Sequence, residues 1–351
     1  MPPALVKTYH RIVIILPCCI GDVVMATAVL SALRRQYPNA HITWAVGSWS
    51  KAVLIGHPYV DDLLDTGPEA NPAKSVRGLW RLARQLRAGQ FDLAVSLSRS
   101  PAISAAVALS GIPTRAGLDS RGRGFGYSVR VPVDPFAPEH EVDIYLRAVK
   151  ALGVDVENAV PFYQVSEADQ AFIQAQITAW DDARPYLVVN PAGGRNPGMT
   201  MDHKRYPPQQ LAQIAQHVAD DINAQIVVVA GPQDTALIES VSRALPNPPR
   251  TFGGTLSFGQ IAGLAKYSML YLGNDTGLTH LAAASGAPTA MILGPTDPRR
   301  YRPYNLNSVV LWKPTALPEG GVSSGIPADW DWAHDGISVE ASVEKIIHFL
   351  Q

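Results

Sequence analysis

The sequence predicts an α/β fold of two Rossmann-like lobes, each with a mostly parallel sheet, facing a cleft. Three observations predict it. Short β-branched runs alternate with helical segments in two series, RIVIIL, HITWAV and FDLAVSL in the first half and YLVVN, QIVVVA and TAMIL in the second. Runs that are apolar throughout, rather than alternating, belong to strands covered on both faces, as in parallel sheets. The chain has 351 residues, too many for one ordinary core and suited to two of roughly 150 residues each. Apolar residues make up 47% and charged ones 17%, enough to fill buried sheets and unlike a disordered chain.

Taken in order, Arg11 to Leu16 is a central strand, Pro17 to Asp22 a turn, Val23 to Tyr37 a helix and His41 to Val46 the next strand, which together make a βαβ unit. Val60 to Asp65, Lys74 to Ala88, Phe91 to Leu97 and Ala102 to Ser110 continue the strand and helix alternation. Ser120 to Phe136 reads as a glycine- and arginine-rich loop with short strands, and Glu139 to Leu152 as a helix stopped by Gly153. The first lobe is expected over 1–165 and a connection over 166–184 that includes one helix. The second lobe is expected over 185–335 and a closing helix over 336–351. In open α/β sheets ligands sit outside the carboxyl ends of the strands, so the chemistry is expected between the lobes.

Composition excludes several classes. A formal net charge of −1 gives no drive toward nucleic acid. The two cysteines are adjacent, Cys18 and Cys19, where a mutual disulfide is expected to be strained and metal-ligand spacing is absent, so both read as small buried residues. The apolar run near the N-terminus is too short to span a bilayer and passes directly into a glycine turn, as a first strand does; a cytoplasmic location is the expectation. The first turn lacks G-x-G-x-x-G and no acidic residue ends the second strand, which disfavours a nicotinamide cofactor, and no P-loop or zinc motif occurs. Asp329-Trp330-Asp331 has the form of a metal-binding D-x-D but lies in an irregular tail, so no metal is expected.

The stretch Tyr271 to Pro288, YLGNDTGLTHLAAASGAP, carries a strand end followed by the start of a small-residue helix. Free backbone N–H groups and the positive end of the helix dipole there suit a phosphorylated ligand, beside Asp275, Thr276, Gly277 and His280. His280 reads equally as a structural histidine. At the first strand's end, Gly21-Asp22 places a carboxylate at a helix N-terminus, where it either accepts a proton or caps the helix. Lys204 follows a Gly/Pro loop and can meet a diphosphate or remain a solvated lysine. Gly193 and Gly194 allow close approach of phosphate oxygens, or serve turn geometry alone. Asp234 is placed to bind a ribose hydroxyl or to cap its helix.

These residues and the segments around them resemble glycosyltransferase family nine, the ADP-heptose:lipopolysaccharide heptosyltransferases. The carriers are RIVIILPCCIGDVVMATAVLSALRRQYPNAHITW, FDLAVSL, HEVDIYLRAVKALG, KRYP, VVVAGPQD and NDTGLTHLAAASGAPTAMILGPTDP, in the family's order. Pro17-Cys18-Cys19-Ile20 departs from the small hydroxyl-bearing residues of many members. The resemblance implies a GT-B fold and inverting, metal-independent transfer of heptose from ADP-heptose, with ADP as product and no cofactor. It implies Asp22 as general base and Lys204 at the diphosphate. Gly193, Gly194, Asp234, Thr255, Leu256, Asp275, Thr276, Gly277 and His280 are implied around the donor. An acidic sugar acceptor would call on Arg99, Arg115, Arg121 and Arg123, which otherwise read as solvated loop arginines, and Gly21 is expected on the acceptor side. The partners implied are a nucleotide-sugar donor and a glycan or glycolipid acceptor, with peripheral contact at the inner membrane face. Rival readings are a GT-B enzyme using another nucleotide sugar, as transferase or epimerase, and a non-catalytic two-lobed sugar-binding module.

Overall fold

A computed structural model describes residues 7–305, 307–315 and 330–351. The chain divides into two compact units with the main boundary between Phe162 and Tyr163, the tip Asn196–Gly198 being grouped with the first unit. Among the described residues no helix is long and apolar enough to cross a membrane.

The first unit runs β1 (Arg11–Ile15), α1 (Ile20–Gln36), β2 (His41–Val46), β3 (Asp62–Asp65), α2 (Val76–Ala88), β4 (Leu93–Ser96), α3 (Pro101–Ser110), β5 (Thr114–Asp119), β6 (Val129–Pro132) and α4 (Glu141–Lys150). The six strands pair in the order β3-β2-β1-β4-β5-β6, every pair parallel. Parallel pairing needs a crossover between consecutive strands, and the helices that make it cover both faces of the sheet. Hence Ile12, Val13, Ile14 and Ile15 are all fully buried, without the alternation of a one-sided strand. Val13 and Ile15 pack with Leu82 and Leu86 of α2 and Ile103 and Val107 of α3.

The second unit runs α5 (Glu167–Thr178), β7 (Tyr186–Asn190), β8 (Arg195–Asn196), β9 (Met199–Thr200), α6 (Pro208–Asp221), β10 (Gln225–Ala230), α7 (Thr235–Ala244) and β11 (Arg250–Gly253). It continues with α8 (Phe258–Lys266), β12 (Leu270–Asn274), α9 (Gly277–Ala284), β13 (Thr289–Ile292), α10 (Pro298–Tyr301), β14 (Ser308–Leu311), α11 (Trp332–Asp335) and α12 (Val339–Leu350). Its sheet order is β11-β10-β7-β12-β13-β14, again parallel throughout. Numbered within each unit, both sheets therefore have the strand order 3-2-1-4-5-6 of the doubly wound fold, whose chain reverses direction between the first and fourth strands. Those switch points fall between β1 and β4 and between β7 and β12.

Several expectations are corrected. The segment 166–184, expected as a connection, holds α5, which packs against α8 inside the second unit. The loop after β7 contains the short β8–β9 hairpin, and β11 and β14 are edge strands that the sequence reading leaves out. Cys18 and Cys19 are half-buried and joined by a disulfide. The peptide between them is cis, and their Cα atoms are 3.1 Å apart. Of the D-x-D tail, Asp329 lies outside the described residues. Asp331 caps α11, and its carboxylate pairs with His334 at 2.8 Å.

Candidate functional site

The first unit gathers its chemistry at the β1/β4 switch point. Helix α1 begins earlier than the sequence suggests, with Cys19 at the N-cap and Asp22 inside the first turn, so Asp22 does not cap the helix. Its carboxylate instead accepts a hydrogen bond of 2.7 Å from the Tyr145 hydroxyl on α4. Burial raises the Asp22 pKa above the ordinary 3.8, and the neighbouring Glu141 carboxylate raises it further; the Tyr145 hydroxyl, Arg99 and the Cys19 N–H oppose this without cancelling it. A carboxylate so placed binds a proton more strongly than an exposed aspartate, which suits a base. Arg99, just beyond β4, pairs at 2.6 Å with Glu141, which is 0% exposed. Glu141 and Tyr145 are one turn apart on α4, so a single helix face carries both to Asp22. Gly21 is half-buried in the same first turn of α1.

The other arginines are scattered. The Arg115 guanidinium donates to the carbonyls of Ile112 (2.6 Å) and Gly126 (3.0 Å), pinning the approach to β5. Arg121 lies over the Phe136 ring at 4.4 Å and lines an open cleft of about 550 Å³ with Asp119, Asp134, Glu139 and Arg147. Arg123 is exposed, and its N–H donates to the Ser120 carbonyl. Only Arg99 among them joins the Asp22 cluster.

The second unit gathers its chemistry at the β7/β12 switch point. Asn274, buried at the end of β12, donates to the Pro191 and Ala192 carbonyls and accepts from the Tyr206 N–H. It thereby ties the loop after β7 to the start of α9. Within that frame the Lys204 ammonium lies 2.6 Å from the Asp275 carboxylate, with both side chains nearly covered. Burial alone would raise the Asp275 pKa; Lys204, His280 and hydrogen bonds outweigh it and hold the carboxyl below its usual 3.8. His280 Nε2 is 3.9 Å from Asp275, too long for a hydrogen bond. A lysine ammonium has three donors, so Asp275 orients Lys204 without exhausting it. Lys204 also lies 5.9 Å from the centre of the Tyr301 ring.

Thr276 is the N-cap of α9, and its hydroxyl accepts from the Leu278 and Thr279 amides. The expectation of several free amides is thus corrected: Thr276 satisfies two and takes His280 N–H on its carbonyl, leaving the Gly277 N–H at the tip open among the described residues. The glycines have steric reasons. A Cβ on Gly193 would lie 2.7 Å from the Thr276 methyl, and one on Gly194 (φ +72°) only 2.1 Å from the Met201 carbonyl oxygen. Asp234 occupies the N-cap position of α7 without a side-chain capping bond, 3.9 Å from both Arg195 and Arg205. Thr255 is exposed after β11, and Leu256 packs partly against the inner apolar cluster. Asp234 and Thr255 therefore lie on the β10 and β11 loops, toward the sheet edge.

Sequence reasoning assigned no role to Tyr145, Glu141, Asn274, Arg205 or Tyr301. The first two had a usable signal, an acid and a phenol at i and i+4 on one amphipathic helix. The rest depend on loop folding that no local pattern reveals. Among the described residues no cluster of three or more His, Cys, Asp or Glu is arranged to hold a metal.

The geometry can be set beside known proteins. The family model of glycosyltransferase family 9 (heptosyltransferase) matches residues 79–320. A lipopolysaccharide heptosyltransferase 3 of Escherichia coli is 23% identical over 301 residues, 83% of this chain and 86% of its own. The crystal structure of a family 9 glycosyl transferase from Veillonella parvula superposes with a TM-score of 0.83 at 22% identity, covering 99% of both chains. The E. coli ADP-heptose lps heptosyltransferase II superposes with a TM-score of 0.73 at 22% identity, covering 97% of this chain and 98% of its own.

Proposed function

The chain belongs to glycosyltransferase family 9, the heptosyltransferase family, and has its GT-B fold; from that premise we propose that it moves a heptose from ADP-heptose to a sugar of a lipopolysaccharide-core-like acceptor. One observation carries the reading. The same topological position of two like sheets holds opposite chemistry, a proton-binding carboxylate in the first unit and a cation beside an open helix amide in the second.

In this mechanism an acceptor hydroxyl attacks the anomeric carbon of the heptose as its proton passes to Asp22. The bond from that carbon to the diphosphate oxygen breaks, the anomeric configuration inverts, and ADP departs with the electron pair. The charge developing on the diphosphate is met by Lys204, oriented by Asp275, and by the Gly277 amide at the positive end of α9. Gly193 and Gly194 keep that side clear of side chains, and Asp234, Thr255 and Leu256 take the nucleoside end. Lys204 and a helix terminus supply the positive charge that a divalent ion supplies elsewhere, so excess chelator is expected to leave turnover unchanged when released ADP is quantified directly by chromatography. A cytoplasmic enzyme in peripheral contact with the inner membrane face would meet such an acceptor as it is built.

Calorimetric titration with ADP, UDP and GDP tests the donor assignment. ADP is expected to bind at least tenfold more tightly than the other two; selective binding of UDP would overturn it in favour of another nucleotide sugar.

A further inference from the structure

The Asp22 carboxylate is approached from three elements. From α4 comes the Tyr145 hydroxyl at 2.7 Å, with the buried Glu141 one turn before it on the same face and near enough for its charge to act on Asp22. From the loop after β4 comes Arg99, held to Glu141 at 2.6 Å. From its own helix end comes the Cys19 N–H. The charged residue of the 3-10 turn Lys51–Leu54, which also packs on α1, is engaged with Asp65 at 3.6 Å. Burying the Glu141–Arg99 ion pair behind a base is costly and unnecessary for packing, since an apolar residue of similar size would fill the space of Glu141. Its position one turn before Tyr145 puts a repulsive and an attractive group on the same target.

We propose that Glu141 and Tyr145 are positioning residues for Asp22 that act on it in opposite senses: Tyr145 aims the carboxylate and favours its charged form, while Glu141, anchored by Arg99, makes that form readier to take a proton. This rests on Asp22 being the base. The Tyr145 proton stays in place throughout, because burial first and then the charges of Asp22 and Glu141 raise its pKa well above 10. The phenol is therefore a fixed donor and does not compete for the acceptor's proton. A hydrogen bond to the ionised form lowers an acid's pKa, and a nearby like charge raises it.

The test is the pH dependence of kcat, read as ADP release, in wild type, Tyr145→Phe, Glu141→Gln and Asp22→Asn. The acid limb of the profile marks ionisation of the base. Glu141→Gln is expected to move that limb to lower pH and Tyr145→Phe to higher pH, each by about one unit. Limbs that stay put, or that shift the same way in both variants, would overturn the proposal, because loss of packing alone has no reason to produce opposite displacements. If Asp22→Asn keeps both turnover and limb, the base assignment itself fails; if it loses them while the other two leave the limb unmoved, only the positioning roles fail. Should Glu141→Gln not fold, titration of the ¹³C-labelled Asp22 carboxyl decides. A midpoint that rises in Tyr145→Phe and falls in Glu141→Asp, which draws the second carboxylate back, supports the arrangement; a midpoint unmoved by either change, or moved the same way by both, contradicts it.

Discussion

Lys204 and Asp275 form a pair in which each side chain justifies the burial of the other. Removing one partner leaves an uncompensated charge, a change that typically costs about 3–5 kcal/mol. Lys204→Met is therefore expected to lower the melting temperature sharply and weaken ADP binding at least tenfold, and a second change, Asp275→Asn, should restore part of the stability but none of the affinity. The pH dependence has a definite sign. The folded-state pKa of Asp275 lies below its unfolded value of about 3.8, so its stabilisation is complete above that value and is lost as pH falls through the folded one. Asp22 behaves oppositely. Its folded pKa is raised, so the native state holds a proton that the unfolded chain has released, and stability falls as pH rises from 3.8 through the folded value. Asp22→Asn removes that penalty, and thermal unfolding at neutral pH should show the variant to be more stable than wild type.

At the scale of the element, the loop after β7 is shaped by backbone contacts that no side chain can replace. At Gly194 a Cβ would meet the Met201 carbonyl oxygen at 2.1 Å in a backbone with φ +72°. Gly194→Ala is expected to destabilise by more than about 1 kcal/mol and to displace the following turn that carries Lys204. Loss of ADP affinity together with a lower melting temperature would be seen by calorimetry and thermal shift; an unchanged affinity would remove the loop from the donor site. Strands such as RIVII and QIVVVA and helices such as α2 were legible because burial on two faces and amphipathic periodicity leave strong local marks. The start of α1 was not. Gly21 and the Pro17-Cys18-Cys19 turn suggest a later beginning, and only the structure puts Asp22 in the first helical turn, where Tyr145 reaches it. The short edge strands β11 and β14 escaped for a related reason: RTFG and SVVL are too brief to stand out from their loops.

For the whole molecule, the alternation of strand and helix announced two α/β units, but strand order is set by long-range pairing and leaves no trace in any window of residues. With it went the switch points, the feature that makes the positions of Asp22 and of Lys204 with Asp275 equivalent. The candidate site was legible where it coincided with strand ends, at Gly21-Asp22 and at Asp275 to Gly277. It was obscure where it drew on a distant helix: the spacing of Glu141 and Tyr145 marks a shared face of α4, but nothing in it says that this face meets Asp22, more than a hundred positions away. The proposed division of labour between the units makes a separable prediction: a change in the first should alter turnover without altering nucleotide affinity. The most direct test is a paired measurement on Asp22→Asn, kcat for ADP release from ADP-heptose and Kd for ADP by calorimetry. A fall in kcat of about 10²–10⁴-fold with Kd within twofold of wild type is expected for loss of a general base; near-normal turnover, or loss of ADP binding in step with activity, would contradict the account.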